Sequence, residues 1–108
     1  MLRSQVRHTK VEQMTNRMGK PVVNQFIIHQ QEGYLKRTIF QSYKSIIAMK
    51  VDNGDTYKIY LDQDTWDYSS TTGRYRNVFL GEDIHETRKK IKYNEYILVD
   101  LNNDYALK

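Results

Sequence analysis

Residues 45–61 read SIIAMKVDNGDTYKIYL, two apolar runs separated by an Asn-Gly pair. Asn53-Gly54 favours a two-residue hairpin turn, because both central residues of that turn need a positive φ. Pairing Asp52 with Asp55 sets the register of the two strands. One face of the hairpin is then apolar and predicts a sheet with a core on that side. This face carries Ile46, Ala48, Ile59 and Leu61.

The opposite face of this hairpin is also apolar. It carries Ile47, Met49 and Val51, which lie opposite Tyr60, Lys58 and Thr56. A face of this kind is poorly suited to full exposure to water, so we expect the N-terminal segment or a partner to cover it. Pairing of two copies through the same face, as a homodimer, is a further interpretation. The contact residues assigned here to a partner are Met49, Lys58 and Tyr60.

Three further segments, rich in β-branched and aromatic residues, predict strands. They span 22–29, 34–40 and 96–101, and a glycine-containing turn at 31–33 separates the first two. Together with the hairpin they predict an α+β fold. We expect an antiparallel sheet of about four or five strands, with one or two short helices on one face.

The chain between Leu61 and the last strand predicts two short helices. A hydroxyl among residues 69–72 can cap the first helix, and Gly81 suits the position after its last turn. Asp83 followed by Glu86 resembles a capping box and begins the second helix, which Asn94 ends. The core-facing residues assigned to the first helix are Tyr75, Val78 and Phe79, and those on one side of the second are Ile84, Arg88 and Ile91.

The length of 108 residues suits one domain. We expect a basic N-terminal arm over 1–20 that is either flexible or a short helix, a single domain over 21–102, and a polar tail over 103–108. The net charge is +4, but residues 1–50 carry nine Lys/Arg against two Glu, whereas residues 51–108 carry eight against eleven acids. This asymmetry favours a nucleic-acid or acidic-protein partner on the basic side.

The residue content excludes several chemistries. There is no cysteine, hence no disulfide, thiolate nucleophile or cysteine-ligated zinc. No secretory signal and no membrane-length apolar run is present, so we expect no membrane partner. His8, His29 and His85 lack metal-ligand spacing, and neither a Gly-x-Ser-x-Gly elbow nor a phosphate loop occurs. We therefore expect a protein that is not an enzyme, with no catalytic residue, metal or cofactor.

Candidate binding chemistry concentrates at the start of the first predicted helix. Ser70, Thr71 and Thr72, with free backbone N–H groups and with Arg74 and Arg76 behind them, could hold a phosphate. The alternative is an ordinary helix cap with solvated arginines. Because Arg74 and Arg76 lie about 200° apart on a helix, both cannot easily face one flat ligand.

A series of short motifs runs through residues 40–80: Ser42-Tyr43, Ile47-Ala48, Trp66-Asp67-Tyr68-Ser69, Thr71-Thr72, Tyr75 and Phe79-Leu80. This series resembles a group of small uncharacterised phage proteins and prophage domains. The resemblance implies a viral accessory protein expressed in the cytoplasm of a bacterial host. Small non-catalytic phage proteins often occlude a host protein, and some inhibit restriction or CRISPR nucleases.

Two functional hypotheses follow. The first is a phage-encoded accessory protein that binds a host macromolecule, such as a host defence or regulatory protein, as a counter-defence inhibitor. Its contact residues would be Met49, Lys58, Tyr60, Arg74 and Arg76. The second is sequence-tolerant nucleic-acid binding by the helix arginines and the basic arm, whose cations are Arg3, Arg7, Lys10, Arg17 and Lys20.

Overall fold

The computed structural model describes residues 7–103 and contains one sheet and two helices. Within this part of the chain the sheet has six strands in the order β1-β2-β3-β4-β5-β6. The first four pairings are antiparallel, and β5 pairs with β6 in parallel. The α+β prediction is confirmed, but the sheet is larger than predicted and mixed. The elements are β1 (Arg7–Thr15), β2 (Pro21–Glu32), β3 (Leu35–Ser42), β4 (Ser45–Asp52), β5 (Tyr57–Asp62), α1 (Ser70–Leu80), α2 (Ile84–Lys92) and β6 (Tyr96–Val99).

The N-terminal segment is a strand of the sheet. Arg7–Thr15 pairs antiparallel with β2, from Arg7 opposite Glu32 to Thr15 opposite Pro21. The prediction of a flexible arm or short helix is therefore wrong for these residues, and the sheet begins before residue 21. A polar strand of this kind is stabilised mainly by its backbone pairing with a neighbour. Residues 1–6 and 104–108, at the ends of the predicted arm and tail, lie outside the described residues.

The loop of the central hairpin is longer than the two-residue turn that its Asn-Gly pair predicts. Asp52 lies opposite Tyr57 instead of Asp55, because Asn53 organises a wider loop. The Asn53 side-chain oxygen accepts from the backbone N–H groups of Asp55 and Thr56 at 3.0 and 2.8 Å. The register differs from the prediction by two residues. Since side chains alternate with a period of two, the paired residues keep their predicted faces.

A β-bulge in β4 reverses the predicted faces of two isoleucines. Phe40 lies opposite Ala48, but its neighbour Gln41 lies opposite Ile46, which leaves Ile47 as the extra residue. A bulge bends its strand and re-aims side chains on either side of it. Ile47 therefore joins the core beneath the helices, and Ile46 packs on the other side of the sheet.

The main core lies between the sheet and the two helices, both of which pack on one face. Tyr75 and Phe79 of α1 pack there, with the Phe79 ring stacked on Phe40 at a centroid distance of 5.8 Å. Val78, predicted to close this core, is 60% exposed, because the buried stripe of α1 is Thr72, Tyr75, Arg76 and Phe79. The buried cluster consists of Met14, Phe40, Ile47, Ala48, Leu61, Tyr75, Phe79 and Tyr96.

The far face of the sheet, on the side without helices, carries a continuous apolar row, and Leu101 packs over its centre. Leu101 is 1% exposed and lies against Ile39 and Met49. Its backbone N–H donates to the Asp62 carboxylate at 2.8 Å. The centre of this row is thus covered by the segment after β6, which the sequence prediction did not include. From β1 to β6 the row consists of Val11, Ile28, Ile39, Met49, Tyr60 and Ile97.

Both helices begin and end where the sequence predicts. The Ser69 hydroxyl accepts from the N–H of Thr72 at 3.1 Å, and Gly81 adopts a φ of 72° after the last turn of α1. The Asp83 carboxylate accepts from the N–H of Glu86 at 3.0 Å, and Asn94, with a φ of 61°, follows α2. Neither helix combines the length and apolar character needed to cross a membrane.

Candidate nucleic-acid interface

The hydroxyl groups at the start of α1 are divided between the interior and the surface. The Thr72 hydroxyl is fully buried and hydrogen-bonded to Ser42 of β3 at 2.8 Å, which ties the helix to the sheet. Ser69 caps the helix, and Ser70 and Thr71 are exposed. Thr72 is therefore committed to the fold and cannot contact a phosphate, so the predicted anion site loses one of its three hydroxyls.

Arg76 is the second predicted contact residue that is buried in the fold. It is 1% exposed, and its guanidinium lies over the Trp66 ring, with 5.4 Å from Cζ to the ring centroid. Nη1 donates to the Trp66 carbonyl at 2.7 Å and to Asp67 at 3.3 Å, while Nη2 donates to Asn77 at 2.9 Å. The prediction of Arg76 as an exposed contact is wrong, because its charge is used to bind the loop before α1.

Arg74, two residues earlier, faces the opposite way and is exposed. It lines an open hollow of about 700 Å³ together with Arg17, which projects from the turn between β1 and β2. Neither arginine has an ion-pair partner among residues 7–103. The structure thus brings together one cation of the predicted arm and one of the predicted helix. The other residues around the hollow are Thr15, Asn16, Tyr75 and Val78.

The turn that presents Arg17 is held by Asn16. Its side-chain oxygen accepts from the N–H groups of Met18 and Lys20 at 2.9 and 3.0 Å, and Gly19 supplies a positive φ of 79°. Such Asx-type bonding is a common way of fixing a surface turn. Lys20 at the end of the turn is exposed, and neither α1 nor the chain from 13 to 31 contains an acidic residue. A positive potential is therefore expected around the hollow.

A second polar surface lies at the other end of the β1–β2 hairpin. A trough of about 310 Å³ crosses β1, β2 and β3 there. Because side chains alternate along each strand, two neighbouring rows share the helix-bearing face. The row of Lys10, His29 and Thr38 is one, and the row of His8, Gln31 and Lys36 is the other.

Carboxylates flank this trough, unlike the hollow. Glu12 pairs with His29 at 2.7 Å, and this hydrogen bond holds the pKa of Glu12 below its ordinary value. Asp52 lies opposite Lys36 across β3 and β4. The charge of Lys10, the predicted contact in the trough, is thus partly balanced by its surroundings, and the hollow is the more strongly cationic surface.

The remaining predicted contacts lie elsewhere. Lys58 is exposed and Tyr60 half-buried on the far face of the sheet. Met49, between them in the predicted patch, is 3% exposed beneath Leu101, so its assignment as a surface residue is wrong. Arg7 is the first residue of β1, and Arg3 lies outside the described residues.

A partly buried polar network joins Glu82, which precedes α2, to α2 and β6, and sequence reasoning missed it. The Glu82 carboxylate accepts from Lys90, Thr87 and Tyr96 at 2.7, 2.6 and 2.8 Å. Burial opposes ionisation of Glu82, but these hydrogen bonds outweigh it and lower its pKa. The Glu82 hydrogen bond raises the pKa of Lys90 to about 12, and burial raises that of Tyr96 to about 12. None of these shifts brings a pKa closer to 7, where a general acid or base is most effective at neutral pH.

Among residues 7–103, no group of three or more histidine, aspartate or glutamate side chains is arranged to hold a metal ion. Asp62, which resembles the first ligand of a calcium loop in sequence, is instead buried. Its carboxylate accepts from the N–H groups of Leu101 and Thr65 at 2.8 and 3.0 Å.

Residues 9–95 match the model of a family of unknown function, DUF8033. The match spans β1 from residue 9 onward, strands β2 to β5 and both helices, and the chain belongs to this family. No curated protein and no solved structure matches the chain.

Proposed function

We propose that the protein is a binding protein and not an enzyme, and that its surface around Arg17 and Arg74 binds the phosphate backbone of a nucleic acid. The observation that carries the proposal is the shared hollow, in which cations from two distant parts of the chain face solvent and no carboxylate stands among the described residues that line it. Arginine is well suited to phosphate, because its planar guanidinium can donate two hydrogen bonds to one group.

The proposed binding is tolerant of sequence. Contacts to phosphate position a protein on nucleic acid but carry no base information. The hollow offers two guanidinium groups together with Thr15 and Asn16, and the exposed Lys20 lies at the end of the same turn. An interface of this kind predicts similar affinities for unrelated sequences and a strong dependence on salt.

The test is a salt titration of binding to labelled single-stranded and double-stranded oligonucleotides by fluorescence anisotropy. Replacing both arginines, as Arg17→Ala with Arg74→Ala, should reduce the slope of log affinity against log salt by about 1.4–1.8, since each phosphate contact contributes about 0.7–0.9. Lys58→Ala is the matched control, because it removes an exposed cation on the other face and should leave the slope unchanged. Absence of binding by the wild-type protein at about 50 mM salt would refute the proposal.

A second candidate is a host-protein partner bound at the far face. Ile97 of the edge strand β6 lies opposite Tyr60 and is partly exposed, so it extends the patch that contains Lys58. Aromatic residues are enriched at protein-binding surfaces, and the core of such a surface is more apolar than the rest of the protein surface. On this proposal the partner is a host defence or regulatory protein in the bacterial cytoplasm, and the chain is a phage-encoded inhibitor, as the sequence resemblance implies.

Affinity capture from a bacterial lysate, with and without nuclease, distinguishes the two candidates. A protein retained after nuclease treatment, and lost with Ile97→Asp but kept with Arg17→Ala plus Arg74→Ala, would support the host-protein candidate. A captured protein that is released by nuclease would instead support nucleic acid as the partner. If no protein depends on Ile97, the far-face candidate is wrong.

A further inference from the structure

Strand β1 leaves one edge of the sheet free. It has nine residues, pairs with β2 on one side, and has no second neighbouring strand among residues 7–103. It contains no proline, and its register with β2 is regular from Arg7 to Gln13. A long edge strand presents unpaired N–H and C=O groups and is a template for another strand unless charges or bulges protect it.

We propose that two copies of the chain pair through β1, antiparallel, about a two-fold axis at Val11. A two-fold axis between antiparallel neighbours in one sheet runs perpendicular to the sheet, so each residue lies opposite one from the same face. With the axis at Val11, Thr9 lies opposite Gln13 of the second copy, Lys10 opposite Glu12, and Val11 opposite itself. With this axis the contact is centred on Thr9–Gln13, which lies within the regularly paired part of the strand, and the irregularity between Gln13 and Thr15 lies beyond it.

The charges on the edge select this register. Lys10 and Glu12 are exposed and lie symmetrically about Val11, so the pairing creates two Lys–Glu contacts in addition to the pair that Glu12 makes with His29. An axis at Lys10 would place that lysine opposite itself, and an axis at Glu12 would oppose two carboxylates. Opposite charges directly across from each other stabilise strand pairing and like charges destabilise it. The charges that would protect this edge from most strands are therefore complementary to a second copy.

The far face gives a second, independent reason for the same register. Val11 is 59% exposed at the end of the apolar row that runs through Ile28 and Ile39 to the other edge of the sheet. Pairing at Val11 joins this row to its counterpart in the second copy and makes it continuous across twelve strands. Val11 is then covered on both sides by apolar neighbours. This inference does not depend on nucleic-acid binding.

Charge-reversal variants of the full chain test the pairing by sedimentation velocity and native mass spectrometry. The wild type should dimerise, and Lys10→Glu or Glu12→Lys alone should weaken the dimer about tenfold or more, because each opposes like charges twice. An equimolar mixture of the two variants should recover a heterodimer, since every opposed pair is then Lys with Glu. The double variant Lys10→Glu with Glu12→Lys should restore the homodimer.

Circular dichroism of each variant serves as the folding control, and both positions are exposed. A wild-type chain that remains monomeric up to about 1 mM would overturn the proposal. So would a dimer that neither single variant weakens, or variants whose mixture forms no heterodimer.

Discussion

Arg76 and Arg74 lie two residues apart on α1, and we expect their removal to have opposite effects on stability and binding. Arg76 is buried, and its guanidinium donates to the Trp66 carbonyl at 2.7 Å and to Asn77 at 2.9 Å. Arg74 is exposed at the hollow that it shares with Arg17. The pair is a matched comparison, because both variants remove the same side chain from the same helix.

The cost of Arg76→Ala can be estimated from its contacts. A hydrogen bond to a charged group contributes about 1.5–3 kcal/mol, and the cation–π contact with Trp66 contributes about 0.5–2 kcal/mol. Nε of Arg76 is buried with no hydrogen-bond partner among the described residues, and this offsets about 1–3 kcal/mol of the gain. With two such hydrogen bonds, the middle of these ranges gives a fall in the free energy of unfolding of about 4 kcal/mol. Arg74→Ala should change it by no more than about 0.5 kcal/mol, as for most surface substitutions.

Urea denaturation followed by Trp66 fluorescence measures both variants, because Trp66 is the single tryptophan and touches the Arg76 guanidinium. Arg76→Lys keeps the charge but not the planar fork, so it should lose most of the same stability. In the binding titration, Arg74→Ala should weaken the complex and folded Arg76→Ala should not. Equal destabilisation by Arg74→Ala and Arg76→Ala would refute the division of roles.

Three further perturbations examine the interior. Ser42→Ala and Thr72→Val should each lower the free energy of unfolding by about 1–2 kcal/mol, but the double variant should cost less than their sum, because no buried hydroxyl is then left unpaired; an additive cycle in urea would contradict this. Leu101→Ala should cost about 2–5 kcal/mol in the same assay, and a cost below about 0.5 kcal/mol would mean that the far face does not need its cover. The pKa of Glu82 is lowered by folding from its ordinary 4.5, so its contribution is present above that pH and is lost as the pH falls through the lower folded value. Glu82→Gln should accordingly reduce the loss of unfolding free energy as the pH falls below 4.5. If the loss is the same in the variant, Glu82 does not stabilise the fold through its carboxylate.

The helix boundaries could be predicted because capping depends on a few neighbouring residues. Ser69 and Asp83 accept from N–H groups three residues ahead, and Gly81 needs only its own positive φ. These interactions lie within one turn of the chain, so the local sequence contains all the information that they require. Apart from Ile46 and Ile47 at the bulge, the faces of the central hairpin were predictable for a similar reason, since a two-residue difference in register preserves side-chain alternation.

The strand β1 could not be predicted in this way. Among residues 8–15 only Met14 is buried, so there is no alternation of buried and exposed residues to mark a strand. Its conformation follows from backbone pairing with β2, a contact between residues up to 25 positions apart, as between Arg7 and Glu32. The cover over Met49 depends on residues even farther apart in the chain. Leu101 reaches Met49 only because the two helices connect β5 to β6, which pairs with β5 in parallel and brings the following segment to the far face.

The candidate site depends on the rotation of α1 about its axis, which distant polar groups set. Apolar spacing alone favours a buried face of Tyr75, Val78 and Phe79. The buried hydroxyl bond between Thr72 and Ser42, thirty residues earlier, and the hydrogen bond from Arg76 to the Trp66 carbonyl turn the helix so that Thr72 and Arg76 face inward. Buried polar partners favour one orientation strongly, because any other would leave them unsatisfied. Val78 and Arg74 are thereby turned outward to meet Arg17, so the surface offered to a partner is set by polar contacts that do not belong to it.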